Sequence, residues 1–371
     1  MFSTNHQVKP SPQWVVVNGR PTYLHGCNYP WTRGHAGRSN YGLDFGVDLR
    51  GSHGGVSTRR DEVRQDFFEM QALGLNVVRW FVFCDGRGGV KFDNDLMPAG
   101  VSPKFYEDMD CALRIAEETG IAIVFVLFDY LWLFDRIHDS RGRDTLLRGH
   151  ARIFRTEKGQ DALLENLCLP LYEHYGSSPQ VLAWEVMNEP DFVISELDCA
   201  RKAKRSAMTL SQFERCVRLI AAAAHAQTAQ KVTIGGGRVK NVRLWDEGRW
   251  ELDFLQVHSY NDYLHAPWDD VLFGTRVETL KLDKPLVIGE FPADRDSFRS
   301  LAESLSPATA SLPVPTLEEY LDFALDCGYA GAWGWSLNGV DACGAPDRTV
   351  LRDWSARRAA AMRLPQMPPL A

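Results

Sequence analysis

The sequence predicts an α/β protein whose strands close into a parallel (β/α)8 barrel. Three observations carry this. Strand-like and helix-like segments alternate from one end of the 371-residue chain to the other, and eight of the strand-like segments can be counted. Several of those strands are apolar throughout, the pattern of strands buried on both faces. Two of them end abruptly on a glutamate, which is how a barrel gathers functional groups at its C-terminal face.

The elements follow in chain order. Val15–Val17, the turn Asn18-Gly19 and Pro21–Leu24 read as a short N-terminal β-hairpin, because Asn-Gly suits a two-residue turn. Its second arm runs into strand one, His25–Asn28. Arg59–Leu73 places Val63, Phe67, Met70 and Leu73 on one helical face. Asn76–Phe83 is strand two. Phe105–Thr119 is a helix closed by Gly120, and Ile121–Phe128 is strand three. Asp161–Tyr175 is a helix and Val181–Asn188 strand four. Leu210–Gln227 is a helix, Lys231–Ile234 strand five, Phe254–His258 strand six and Leu286–Glu290 strand seven. A helix over Leu317–Cys327 and strand eight over Ala330–Trp335 complete the count. One domain is expected over residues 1–371, with the barrel at about 13–362 and frayed termini. Three long connections, Pro30–Thr58, Tyr130–Glu157 and Pro292–Pro315, emerge on the C-terminal face and are expected to wall a site.

Composition narrows the function. The net charge is -7 with acids and bases mixed, which argues against a nucleic-acid partner. The one basic cluster, Arg201–Arg205, is expected to be a solvated face. Eight scattered cysteines lack zinc-like spacing, so they read as reduced thiols, several of them buried (Cys27, Cys111, Cys168, Cys216), and nothing calls for a metal or other cofactor. The start carries neither a basic nor an apolar leader region, and the longest apolar stretch is too short to span a bilayer. The expectation is a cytoplasmic monomer or weak homo-oligomer.

The chemistry sits at the strand ends. Strand four closes on Asn188-Glu189-Pro190 and strand seven on Gly289-Glu290. A pair of carboxylates brought together in this way cleaves glycosidic bonds, which makes a carbohydrate the expected substrate. Arg79 lies in an otherwise apolar strand and must face a carboxylate, since a lone guanidinium is costly to bury. Asn188 can donate to a sugar 2-hydroxyl. His258 and Tyr260 share a face at the end of strand six. Trp335 offers a flat face for a sugar, and Trp333 lies deeper on the same side. Asp129 and Asp85, after strands three and two, are candidate sugar contacts, as are the aromatics Trp31, Tyr41, Trp132, Tyr263 and Trp268.

These residues resemble the retaining (β/α)8 glycosidases of clan A, most of all glycoside hydrolase family five, which includes cellulases and mannanases. The resemblance runs from the hairpin to Trp335. It implies Glu189 as acid/base and Glu290 as nucleophile, cleaving β-linked gluco- or manno-configured saccharides by double displacement. It also implies Arg79 beside the nucleophile, Tyr260 donating to Glu290, and His258 orienting the acid/base or a hydroxyl. Arg79 and Tyr260 are then expected to lower the pKa of Glu290, whose charge raises that of Glu189. One departure stands out: many members carry a histidine near the end of strand three, where this chain has Asp129.

Two other readings compete. A metal-dependent barrel hydrolase would need a His-x-His after strand one, where only His25 occurs; a catalytically inactive glycan-binding barrel would keep the fold without turnover. Gly235-Gly236-Gly237 hints weakly at phosphate binding, and the absence of Gly-x-Ser-x-Gly disfavours a serine hydrolase.

Overall fold

The computed structural model describes residues 14–32, 43–46, 55–134, 136–138, 144–146, 150–202, 205, 207–260, 270–305, 314–339 and 343–363. Eight parallel strands close the barrel: β1 (Leu24–Asn28), β2 (Val77–Phe81), β3 (Ala122–Asp129), β4 (Val181–Asn188), β5 (Lys231–Gly236), β6 (Leu255–His258), β7 (Leu286–Pro292) and β8 (Gly331–Trp335). They pair in chain order and β8 closes on β1. The strand over Val181–Asn188 has the expected bounds; the other seven differ from expectation by one or two residues at an end.

The hairpin forms as Val15–Val17 against Arg20–Thr22, with Asn18 and Gly19 both at positive φ (50° and 74°), the geometry a two-residue hairpin turn requires. Arg60–Ala72 buries Val63, Phe67 and Met70. Pro103–Thr119 begins with a proline, which needs no N–H partner there, and ends at left-handed Gly120. Thr209–Gln212 and Thr316–Glu319 form capping boxes that start the helices Leu210–Gln227 and Leu317–Asp326.

Several features depart from expectation. The helix anticipated over 161–175 starts at Glu157 and contains a π turn at Leu164–Cys168, just before Pro170, which has no N–H to offer the helical ladder. The connection after β7 holds a helix, Arg295–Leu305. A further helix, Arg348–Arg358, follows β8; five of its 11 residues are charged and it buries only Leu351, Trp354 and Ser355. Small hairpins sit in the connections after β2 (Val90–Phe92 with Pro98–Val101) and β3 (Arg136–His138 with Asp144–Leu146). All eight cysteines are free thiols; Cys27, Cys111, Cys168 and Cys216 are buried as expected. Among the described residues no helix is long and apolar enough to cross a membrane.

Strand register gathers the polar residues. Asn28 pairs with Arg79, Asp129 and Gly235 both pair with Asn188, and His258 pairs with Glu290. The ladder shifts between Glu185 and Asn188 and again between Val257 and His258. Each shift adds a local bend that re-aims the side chains beyond it.

Gly235 is explained by this crowding rather than by phosphate. A Cβ there would lie 2.4 Å from Glu185 Oε1 and 3.0 Å from Arg79 Nη2. Gly235→Ala is therefore expected to cost about 1–3 kcal/mol of stability by overpacking. Gly248→Ala, whose added Cβ meets nothing within 4 Å, is the matched control. Urea denaturation of both variants checks the contrast; equal midpoints would remove the packing argument.

Candidate active site

Arg79 organises the C-terminal end of the barrel. It is fully buried, and a guanidinium has five N–H donors to satisfy. Nε and Nη2 hold both oxygens of Glu185, at 2.7 and 2.6 Å. Nη2 also donates to Asn188 Oδ1 at 2.7 Å, while Nη1 donates to Asn28 Oδ1 at 3.0 Å and to Glu290 Oε1 at 2.5 Å. The arginine thus faces Glu290 as expected, yet its two-pronged partner is Glu185. The sequence reading passed over Glu185, Asn28 and Gln256. For Glu185 and Gln256 the signal was present: each is a polar residue inside an apolar strand, the same oddity that singled out Arg79. Gln256 Nε2 donates to Glu185 Oε2 at 2.8 Å, and Asn28 Nδ2 donates to the carbonyls of Gly289 and Trp333.

Glu189 and Glu290 meet. One carboxylate oxygen from each, together with His258 Nδ1, lie within 4.8 Å of one another. His258 Nδ1 is 3.0 Å from Glu189 Oε1 and 3.5 Å from Glu290 Oε1. The acids sit at different depths: the Glu290 side chain is 6% exposed and that of Glu189 15%. Glu189 follows the last residue of β4 with φ 47°, and its N–H is held by the carbonyl of Gly235 at 2.7 Å. That left-handed step turns its side chain out of the strand direction.

Burial dominates the electrostatics. It pushes the Glu189 carboxyl up to about 8; Arg79 opposes the rise, and the charges of Asp191 and Glu185 add to it. Burial also pushes Glu290 up to about 7, with Glu189 adding, even though His258 and Arg79 pull it down. The expected lowering of Glu290 by Arg79 is present but outweighed. Much of the guanidinium's charge is already matched by Glu185. Burial lowers His258 to about 4, so its ring is neutral at neutral pH. Asp191 was not anticipated: it is fully buried, accepting from Gly237 N at 2.8 Å and Asn241 Nδ2 at 2.5 Å, and so joins the loop after β4 to the loop after β5.

The remaining candidates divide. Asn188 lies in the cluster, with Nδ2 donating to Asp129 Oδ2 at 2.8 Å. Asp129 also accepts from Leu131 N, and burial raises its carboxyl to about 8. Asp85 is buried against Arg87 at 2.6 Å; burial raises its carboxyl and Arg87 opposes the rise. Trp335, Trp31 and Phe81 form an aromatic group, with Trp31 and Trp335 edge to face at 5.9 Å. Tyr260 packs beside that group and against Phe298. Among the described residues, the partners of the Glu290 carboxylate are Arg79 and His258. Trp333 is buried core and donates to the Leu24 carbonyl. Trp132 is also core, packed by Phe128, His150 and Phe154. Tyr41, Tyr263 and Trp268 lie outside the described residues.

Glu189, His258 and Glu290 are close enough to grip a cation. The histidine of β1 would not join them. His25 Nε2 lies 2.8 Å from Ser355 Oγ and its ring 4.9 Å from Trp354, both on the outer helix Arg348–Arg358. The metal-dependent alternative loses that ligand.

No family model matches the chain. By sequence it is similar to a mannan endo-1,4-beta-mannosidase of Mytilus edulis, 23% identical over 354 residues, spanning 87% of this chain and 86% of that protein. It is similar also to one of Cryptopygus antarcticus, 22% identical over 372 residues, spanning 91% and 86%. Among solved structures, the β-mannanase of the blue mussel Mytilus edulis superposes with a TM-score of 0.69 at 20% identity, covering 94% of this chain and 97% of that one. A Glycoside Hydrolase Family 5 mannosidase of Rhizomucor miehei gives 0.52 at 15% identity, covering 95% and 99%. The fold and its relatives define a glycosidase-type (β/α)8 barrel. At low identity, the chain is similar in sequence to these mannan endo-1,4-beta-mannosidases and in fold to the solved β-mannanase and Family 5 mannosidase.

Replacing Arg79 by Met leaves Glu185 buried without its cation. The expected cost is about 3–5 kcal/mol of unfolding free energy. Denaturant titration of Arg79→Met checks this; wild-type stability would mean that the guanidinium does not hold the barrel interior.

Proposed function

We propose that this chain hydrolyses β-1,4-linked mannan chains with retention of anomeric configuration, Glu189 serving as acid/base and Glu290 as nucleophile. The observation that carries the reading is the approach of the two carboxylates, within 4.8 Å at their nearest ligand atoms. Inverting glycosidases separate their carboxyls by about 6.5–9.5 Å to seat a water, whereas retaining ones hold them about 5–5.5 Å apart. The mannan substrate and the internal linkage follow the activity named for the Mytilus and Cryptopygus relatives.

The chemistry divides by depth. Glu290, lower in the barrel and bonded to Arg79, attacks the anomeric carbon. Glu189, nearer solvent, gives its proton to the leaving oxygen and later takes one from the water that frees the sugar. Neutral His258, next to both, holds the Glu189 carboxyl in line. Asn188 has its carbonyl on Arg79 and its amide nitrogen free to reach toward the sugar 2-hydroxyl as well as Asp129. The Trp31–Trp335 group gives an apolar face for the pyranose ring.

The active form needs Glu290 ionised and Glu189 protonated. Acid inactivation thus follows protonation of Glu290, near 7, and alkaline inactivation follows loss of the Glu189 proton, near 8. A narrow bell in kcat/KM is expected. With a dinitrophenyl glycoside, whose leaving group needs no acid, Glu189→Gln should keep the acid limb and lose the alkaline one.

Glu189→Ala and Glu290→Ala are each expected to lose several orders of magnitude on a panel of manno-, gluco- and xylo-oligosaccharides. Azide should rescue them with opposite outcomes, a β-azide from the Glu189 variant and an α-azide from the Glu290 variant, distinguished by NMR. Binding of oligosaccharides by the wild type without turnover would favour the inactive glycan-binding reading. Near-normal hydrolysis by either variant would remove that glutamate from the mechanism.

A further inference from the structure

We infer that Asp129 is a positioning residue that sets which way the Asn188 amide points, and so lets the site recognise the hydroxyl at sugar C2. This rests on the proposed glycosidase reading and extends it to a residue that, among the described residues, makes no hydrogen bond to either glutamate.

The argument is one of donors and acceptors. An amide side chain can be turned over without changing its shape, so something must choose between its two ends. At Asn188 the choice is made from both sides. Arg79 Nη2 offers only hydrogens and meets Oδ1 at 2.7 Å. Asp129 Oδ2 lies 2.8 Å from Nδ2. Turning the amide would set its NH2 against the guanidinium and its oxygen against the carboxyl oxygen.

Asp129 is itself held in place. Its Oδ1 accepts from Leu131 N at 2.8 Å, its own N–H donates to the Cys84 carbonyl at 2.9 Å, and it is 5% exposed. It pairs in register with Asn188 across the β3–β4 ladder. One Nδ2 hydrogen of Asn188 is used by Asp129; the second is left to point at the substrate.

The consequence for substitution is specific. Asp129 accepts two hydrogen bonds, one on each oxygen. An asparagine there has one oxygen and one NH2, so one of the two donors, Leu131 N–H or Asn188 Nδ2, meets a donor instead. Asp129→Asn keeps the volume but breaks the orientation signal, and Asp129→Ala removes it.

The test compares an aryl β-mannoside with its 2-deoxy counterpart for wild type, Asp129→Asn, Asp129→Ala, Asn188→Ala and the Asp129→Asn/Asn188→Ala pair. A hydrogen bond to a developing charge makes the wild type prefer the 2-hydroxy substrate by about 10- to 100-fold in kcat/KM. In Asp129→Asn and Asp129→Ala this preference should fall to that of Asn188→Ala, and Asp129→Asn should add little to Asn188→Ala. An unchanged preference ratio in folded Asp129 variants, or full additivity in the pair, overturns the proposal. Calorimetric affinities for mannobiose and a 2-deoxy analogue give the same ratio without needing turnover. Should the wild type bind but not cleave, the hydrolase reading fails while the affinity ratio still decides the role of Asp129.

Discussion

A buried guanidinium dictates the interior of this barrel. Arg79 sits at zero exposure, and each of its five N–H groups has a named acceptor. Leaving any of those donors unmet in the core would cost on the order of 1–3 kcal/mol. The acceptors come from β1, β4 and β7, so one side chain ties strands that are far apart in sequence. Gln256 completes Glu185 from β6. Gly235 on β5 has no side chain because Glu185 already fills that space. The buried polar residues of β1, β4, β6 and β7, and the missing side chain on β5, are therefore consequences of a single charge on β2.

That charge also sets the tone of the Glu189–Glu290 carboxylate pair. Arg79 carries one positive charge and faces two carboxylates, Glu185 by two bonds and Glu290 by one. Its attraction for Glu290 is real but shared. Burial then wins, and both glutamates of the pair are lifted toward neutrality rather than one up and one down. Their roles are separated by position: the deeper acid touches the arginine, and the shallower one touches His258 and solvent. His258 stays neutral because burial opposes its charging, so it adds a hydrogen bond to the pair without a full counter-charge.

Much of this was legible in the sequence because a barrel encodes its strands as uninterrupted apolar runs. Val181–Asn188 was readable to the residue, since the run stops on Asn-Glu-Pro, and Glu290 was readable for the same reason. Arg79 was found because a cation inside such a run is an anomaly. Glu185 obeys the same rule three residues before Asn188, but lay in the shadow of the more obvious motif. Other features had no comparable signature. The helix Arg348–Arg358 buries three residues and looks like surface in sequence. The π turn before Pro170 depends on how a helix relieves a missing donor, which apolar spacing does not record. The depth of burial that lifts Glu290 belongs to the closed barrel as a whole and cannot be read from its neighbours in sequence.

The same reasoning separates what the barrel floor can specify from what the loops must. Arg79, Glu185 and Asn28 have their hydrogen-bonding groups engaged inside the barrel, so they hold the Glu189–Glu290 carboxylate pair in place but have little left for other contacts. The groups with capacity to spare sit at the rim: the second hydrogen of the Asn188 amide, the carboxyl of Glu189, and the ring faces of Trp31 and Trp335. Of these, only Asn188 has its direction imposed by partners on both sides. Distinguishing one hydroxyl configuration from another needs a donor that does not rotate to suit each ligand, because an adaptable donor pays nearly the same for either. Under the proposed reading, the coupling of Asn188 to Arg79 and Asp129 meets that requirement at one carbon of the ring.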